Sequence, residues 1–130
     1  MTQQETYETY RHTATVNGVG ADGLTLLEWL RLGGPGPWTR HGLAIAIDWG
    51  DRKLRKQIEL LRRAGVPVLS TSGHHAGYRL ASSVEEIDAF CKAELLSRIE
   101  SLESQLSALH QTANLIRANA AQPALFEVPA

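Results

Sequence analysis

Arg52, Lys53, Lys56 and Arg63 are the residues of this chain best placed to do chemistry, because their spacing gathers positive charge on one side of a helix. Leu54, Ile58 and Leu61 recur at i, i+4 and i+7 and define the opposite, buried side. At about 100° per residue, Arg52, Lys56 and Arg63 point almost directly away from the core, with Lys53 on the flank. Such a face suits double-stranded nucleic acid. An arginine forks onto guanine O6 and N7, whereas a lysine reaches a base edge or a phosphate. Gln57, a residue type that can read adenine, falls nearer the buried side. A basic helix face is more often merely solvated, so the surrounding elements decide between the two outcomes.

A second group follows in the chain. Thr71, Ser72, His74, His75 and Arg79 flank Gly73 in what reads as a hairpin tip, where hydroxyls, imidazoles and backbone amides can hold phosphates. The adjacent histidines do not suggest a metal, since neighbours on a strand point to opposite faces and no Cys or carboxylate sits at ligand spacing. No nucleophile–base set and no phosphate-cradling loop occurs, so neither catalysis nor a cofactor is expected. Tyr78 lies in a Gly-Tyr strand and reads as a core ring.

Periodicity supplies the scaffold. Residues 1–21 are rich in Thr, Gln, Glu and Gly and read as a flexible segment, with a short strand near Thr13–Val16 at most. A first domain helix is expected over Gly23–Leu32, capped by Asp22, with Leu24, Leu27 and Trp29–Leu30 buried. Gly33-Gly34-Pro35-Gly36-Pro37 stops it. Thr39 caps a second helix carrying Leu43, Ala44, Ile45 and Ile47, with small Ala44 and Ala46 allowing close approach to the next helix. The third runs over Arg52–Ala64, with Asp51 as a dipole-favoured cap and Gly65 as its end. Val66–Thr71 and Gly77–Leu80 then read as a hairpin, its first strand an edge strand with Pro67 near the start. The expected fold is mainly α with a small β-hairpin.

Leu43-Ala44, Ile47, Asp48-Trp49-Gly50, Asp51-Arg52, Leu54, Ile58, Leu61 and Ala64-Gly65, followed by the hairpin, resemble a winged helix-turn-helix over residues 22–82. The similarity is to the DNA-binding domain of the biotin operon repressor and to small phage and prophage winged-helix proteins. It implies that the third helix enters the major groove and that the hairpin contacts the backbone beside it. Asp48 stands where the family's turn usually has Gly, and Asp tolerates left-handed geometry better than most residues. Neither a ligase domain nor a cofactor-binding motif follows, so nothing about biotin is implied.

Net charge is −1, yet residues 51–79 carry +5 and the remainder −6, a segregation that an averaged charge hides. The single cysteine, Cys91, forms no internal disulfide, in keeping with a reducing compartment. With no apolar span and no secretory segment, a cytoplasmic, nucleoid-associated protein without membrane contact is expected.

Ser83 and Glu86 form a capping-box signature before a long helix over residues 83–119. From Leu95 its stripe becomes a heptad: Leu95, Ile99, Leu102, Leu106, Leu109, Ala113 and Ile116. Alternating steps of four and three hold these on one seam, which specifies a left-handed coiled coil and a homodimer. Residues 120–130 read as a flexible tail. In it, Gln122-Pro123-Ala124-Leu125-Phe126 resembles the Gln-x-x-Leu-Phe pentapeptide by which bacterial replication and repair proteins dock on the sliding clamp. That resemblance implies Leu125 and Phe126 in an apolar pocket and Gln122 on its rim. Two functions follow as expectations: a dimeric double-stranded DNA-binding protein of transcription or replication, or a protein-interaction module docking through its tail.

Overall fold

The computed structural model describes residues 2–33, 38–71 and 76–121. It is mainly helical, with a small three-stranded antiparallel sheet and a long C-terminal helix. The elements are α1 (Gln3–Val16), α2 (Ala21–Leu32), β1 (Trp38–Thr39), α3 (Arg40–Ile47), α4 (Asp51–Arg63), β2 (Val68–Thr71), β3 (Gly77–Leu80), α5 (Val84–Phe90), a π-helical segment (Cys91–Leu96) and α6 (Ser97–Ala121). Two compact units divide the chain, Met1–Asp88 and Ala89–Ala130.

The core of the first unit joins Leu26, Leu27 and Leu30 of α2 to Leu43 of α3 and to Leu54, Ile58 and Leu61 of α4, closed by Val66 and Val68. Each large aliphatic side chain taken from water stabilises the fold by about 1.5–3 kcal/mol. Leu24 and Trp29, expected inside, are only partly buried, and Leu26 takes the inner position. On α3, Leu43 is fully buried, whereas Ile45 and Ala46 face solvent. Ala44 alone of the two alanines lies against the core.

The N-terminal residues depart most from the sequence expectation. Residues 3–16, expected to be flexible with at most a short strand, form α1, and Tyr7, Tyr10 and Ala14 bury one side of it in the core. Thr2 caps the helix by accepting a hydrogen bond from the amide of Glu5 at 3.1 Å. Three polar anchors fix it. The Tyr10 hydroxyl donates to the carbonyl of Ala81 at 2.8 Å, Asn17 Nδ2 to the carbonyl of Ala64 at 2.7 Å, and the Tyr7 hydroxyl to Glu28 at 2.5 Å.

The sheet has the order β1–β3–β2, so the expected hairpin gains a third strand. Trp38 pairs with Tyr78 and Thr39 with Gly77. Trp38 is held from behind as well: its ring nitrogen donates to the Trp29 carbonyl at 2.8 Å, and the two indoles meet edge to face at 6.2 Å. Gly77 is required at this crossing, because a Cβ there would stand 1.6 Å from the Trp38 carbonyl oxygen.

Two expected caps are displaced by small amounts. Gly20 rather than Asp22 precedes α2, and Gly50 rather than Asp51 precedes α4, which leaves both aspartates in the first turn, where the helix dipole favours them. Thr39 caps α3 as expected, accepting from the Gly42 amide at 3.0 Å. The turn from α3 into α4 passes through Asp48 in the left-handed region, φ 59° and ψ 47°. Gly65, at φ +94°, ends the segment after α4.

The second unit is helical through Ala121. Residues 91–96 are π-helical, an interruption within what the sequence pattern presents as one regular helix, and α6 then runs without a break. Among the described residues no helix is long and apolar enough to cross a membrane.

Candidate nucleic-acid interface

Helix α4 divides lengthwise as its apolar spacing requires. Leu54, Ile58 and Leu61 are all but fully buried, and Arg52, Lys53, Arg55, Lys56, Glu59 and Arg63 are exposed. Gly50, Arg52, Lys53, Arg55, Lys56 and Glu59 together line a shallow groove of about 750 Å³ along the outer side of the helix. Gln57 is half-buried on the side facing α2 near Gly23, as its angular position requires.

Ion pairing separates these cations into two kinds. Arg63 Nη2 lies 2.7 Å from Glu59 Oε1, and Arg55 Nε lies 2.9 Å from Asp51 Oδ2, both one helical turn apart. Lys53 Nζ lies 3.3 Å from Asp22 Oδ2 of α2 and 4.7 Å from the centre of the Trp49 ring, so its ammonium is held sideways by a carboxylate and an indole face. Among the described residues, Arg52 and Lys56 have no carboxylate within ion-pair distance. Those two point outward with their charge uncompensated.

Three partners escaped the sequence reading. Arg40, first residue of α3, stands with its Nε 3.6 Å from Asp51 Oδ1, so Asp51 bridges Arg40 and Arg55 and joins the starts of the two helices. Asp22 and Trp49 hold Lys53. The signal for Arg40 was its place in the first turn of α3, a helix of only eight residues, short enough for a long side chain at its start to reach the start of α4. A second depression, of about 600 Å³, runs between α3 and the start of α4, lined by Arg40, His41, Ile45, Asp48, Trp49 and Asp51 among others. Two of those residues are carboxylates, which makes it a poor seat for phosphate.

Of the hairpin residues, Arg79 departs from its expected role. Arg79, expected to reach phosphate, is instead turned onto Glu86, with Nη1 2.5 Å from Oε2 and less than a quarter of its side chain exposed. The capping box is therefore only half formed: Ser83 Oγ accepts from the Glu86 amide at 3.2 Å, while the Glu86 carboxylate serves Arg79. Thr71 is half-buried at the end of β2. Ser72, His74 and His75 lie outside the described residues, as do Gln122, Leu125 and Phe126. Among the described residues no cluster of three His, Cys, Asp or Glu side chains stands close enough to share a metal ion.

The seam residues of the second unit are uncovered in the single chain. Ile99, Leu102, Leu106, Leu109 and Ile116 are between 48% and 68% exposed, Ala113 is partly covered, and Leu95 falls in the π-helical segment. No family model matches this chain, and no curated protein or solved structure does either.

Proposed function

We propose that the chain binds double-stranded DNA through α4, as a winged helix-turn-helix protein that self-associates through α6. The order α2–β1–α3–α4–β2–β3 supports the winged-helix reading: three helices stand against a sheet whose β2–β3 hairpin is the wing. The left-handed Asp48 turn lets α4 cross α3 and present its outer face. The observation that carries the reading is the pair Arg52 and Lys56, exposed, outward and without a carboxylate, in the first turns of a helix whose opposite face is buried. A helix of this kind enters the major groove by its N-terminal turns. Arg52 is the candidate for a guanine, and Lys56 for a phosphate or a base edge.

A labelled duplex of mixed sequence, titrated with the full chain from low to moderate salt, tests this. Binding at about 50 mM salt that weakens steeply by about 200 mM supports it, since counterion release governs such contacts. No binding at low salt refutes it. Regulation of transcription and a part in replication are both compatible with that chemistry.

The alternative, a module that docks on protein partners, draws on the exposed seam of α6 and on the Gln122-Pro123-Ala124-Leu125-Phe126 pentapeptide. Capture by purified sliding clamp, lost in Leu125→Ala/Phe126→Ala while DNA affinity is kept, would assign the tail to clamp docking.

A further inference from the structure

The apolar seam of α6 and two charges beside it define how a second copy lies on it. Ile99, Leu102, Leu106, Leu109, Ala113 and Ile116 follow one another at steps of three and four, so Leu102, Leu109 and Ile116 occupy one core position of the heptad and Ile99, Leu106 and Ala113 the other. A β-branched residue at the second position beside leucine at the first favours two strands over three or four, and it occurs at Ile99–Leu102, one of the three core pairs.

Arg98 and Glu103 flank this seam on opposite sides, five residues apart. Both are exposed, and among the described residues neither has an ion-pair partner within its own chain. In a parallel pair, each Arg98 meets the Glu103 of the other copy, so two attractive contacts form across the seam. An antiparallel pair that places Leu102 against Ala113 brings Glu103 to His110 and leaves Arg98 beside Asn119, with no carboxylate opposite Arg98. A lipid surface suits the helix poorly, for Arg98 and Arg117 are balanced by Glu100 and Glu103 and no basic face accompanies the apolar one.

We infer that the occupant of the α6 seam is a second copy of this chain in parallel register, with Arg98 facing the Glu103 of the other copy. This rests on the self-association proposed above and adds its direction. Parallel pairing also starts both α6 helices at the same end of the coiled coil.

The test uses full-length Arg98→Glu and Glu103→Arg proteins, separately and mixed, with dissociation constants from sedimentation equilibrium. Each variant alone sets like charges together at both contacts and should self-associate about tenfold more weakly than wild type. An equimolar mixture should recover wild-type affinity and form mainly the heterodimer. In a Cys91→Ser background, Leu102→Cys should also give a disulfide-linked dimer on oxidation, because the antiparallel register separates the two positions by about 16 Å. A wild-type dimer whose single variants associate normally, and whose Leu102→Cys form does not crosslink, overturns the parallel register alone. A wild-type chain that remains monomeric at about 100 μM overturns self-association itself.

Discussion

Replacing Arg52 and Lys56 together by alanine removes the two outward cations of α4 that no carboxylate balances, and its effect can be worked from the salt dependence of DNA binding. Each phosphate neutralised contributes about 0.9 to the slope of log K against log salt. At about 0.1 M salt, one such contact is then worth about eightfold in affinity relative to 1 M, and two about sixtyfold per protomer. With both cations on phosphates the double variant loses that much affinity and its slope flattens by about 1.8 per protomer. With Arg52 on a guanine and Lys56 on a phosphate, the slope flattens by about 0.9 and the Arg52 share is lost as about 1–3 kcal/mol of base discrimination. Both positions are exposed and helical, and alanine is a strong helix former, so the melting temperature should stay within a few degrees of wild type. Glu59→Gln supplies the opposite arm. Glu59 lies on the same outward face and holds Arg63 at 2.7 Å, so neutralising it frees one guanidinium for phosphate. Affinity should rise and the slope steepen by up to about 0.9 per protomer. Fluorescence anisotropy of a labelled duplex over a salt series reads both. An unchanged slope in the double alanine variant, or no steepening in Glu59→Gln, would refute the assignment of α4 as the DNA-contacting surface.

Three further outcomes are expected. Tyr10→Phe removes a buried hydroxyl and leaves the Ala81 carbonyl without that donor, which should cost about 1–2 kcal/mol and lower the melting temperature by about 5–10 °C in calorimetry. Gly77→Ala drives a Cβ into the Trp38 carbonyl and should cost about 2–3 kcal/mol, seen as a lower urea midpoint, since neither strand can withdraw without breaking the β1–β3 pairing. The Glu28 carboxyl is held down at about 2 by hydrogen bonds from Arg31 and then Tyr7. Because this folded-state value lies below the ordinary carboxylate value, its contribution is fully present above about pH 4.5 and is lost as pH falls toward about 2. With 41% of the side chain exposed, water screens the cluster to about 1 kcal/mol or less, and Glu28→Gln should flatten acid unfolding by that amount between those pH values.

The parts of this fold that were legible in the sequence are those encoded by local periodicity. The Leu54–Ile58–Leu61 spacing placed the buried face of α4 correctly, and with it the outward direction of Arg52, Lys56 and Arg63. Thr39 was readable as a cap and Asp48 as a left-handed turn residue, because each depends on its own backbone and the next few residues. The parts that were not legible depend on contacts between distant segments. Helix α1 looked flexible because its composition is polar, yet Tyr7, Tyr10 and Ala14 at i, i+3 and i+7 suffice to bury one side against α2 and the end of the sheet. Strand β1 is two residues long, too short for any alternation to register, and exists because Trp38 is anchored on Trp29 while Gly77 leaves room for its carbonyl.

The candidate site was legible as a face but not as a set of available charges, and the difference has a functional consequence. Counting cations from Arg52 to Arg63 treats them alike, whereas Asp51 and Glu59 each stand four residues before an arginine and take it as a partner. Asp22 does the same to Lys53 from α2, and Glu86 turns Arg79 away from the hairpin surface. On the outward face of α4, the described cations left without a carboxylate partner are Arg52 and Lys56, at its N-terminal half. The paired residues cannot add full positive charge without breaking an existing contact; Lys53–Asp22 ties α4 to α2 and Asp51–Arg40 ties it to α3, while Arg55–Asp51 and Arg63–Glu59 lie within α4 itself. A protein with a net charge of −1 gains from that arrangement. In the DNA-binding role proposed above, attraction for phosphate is concentrated at the N-terminal half of α4, while the residues outside 51–79, which carry −6, disfavour contact with a polyanion elsewhere.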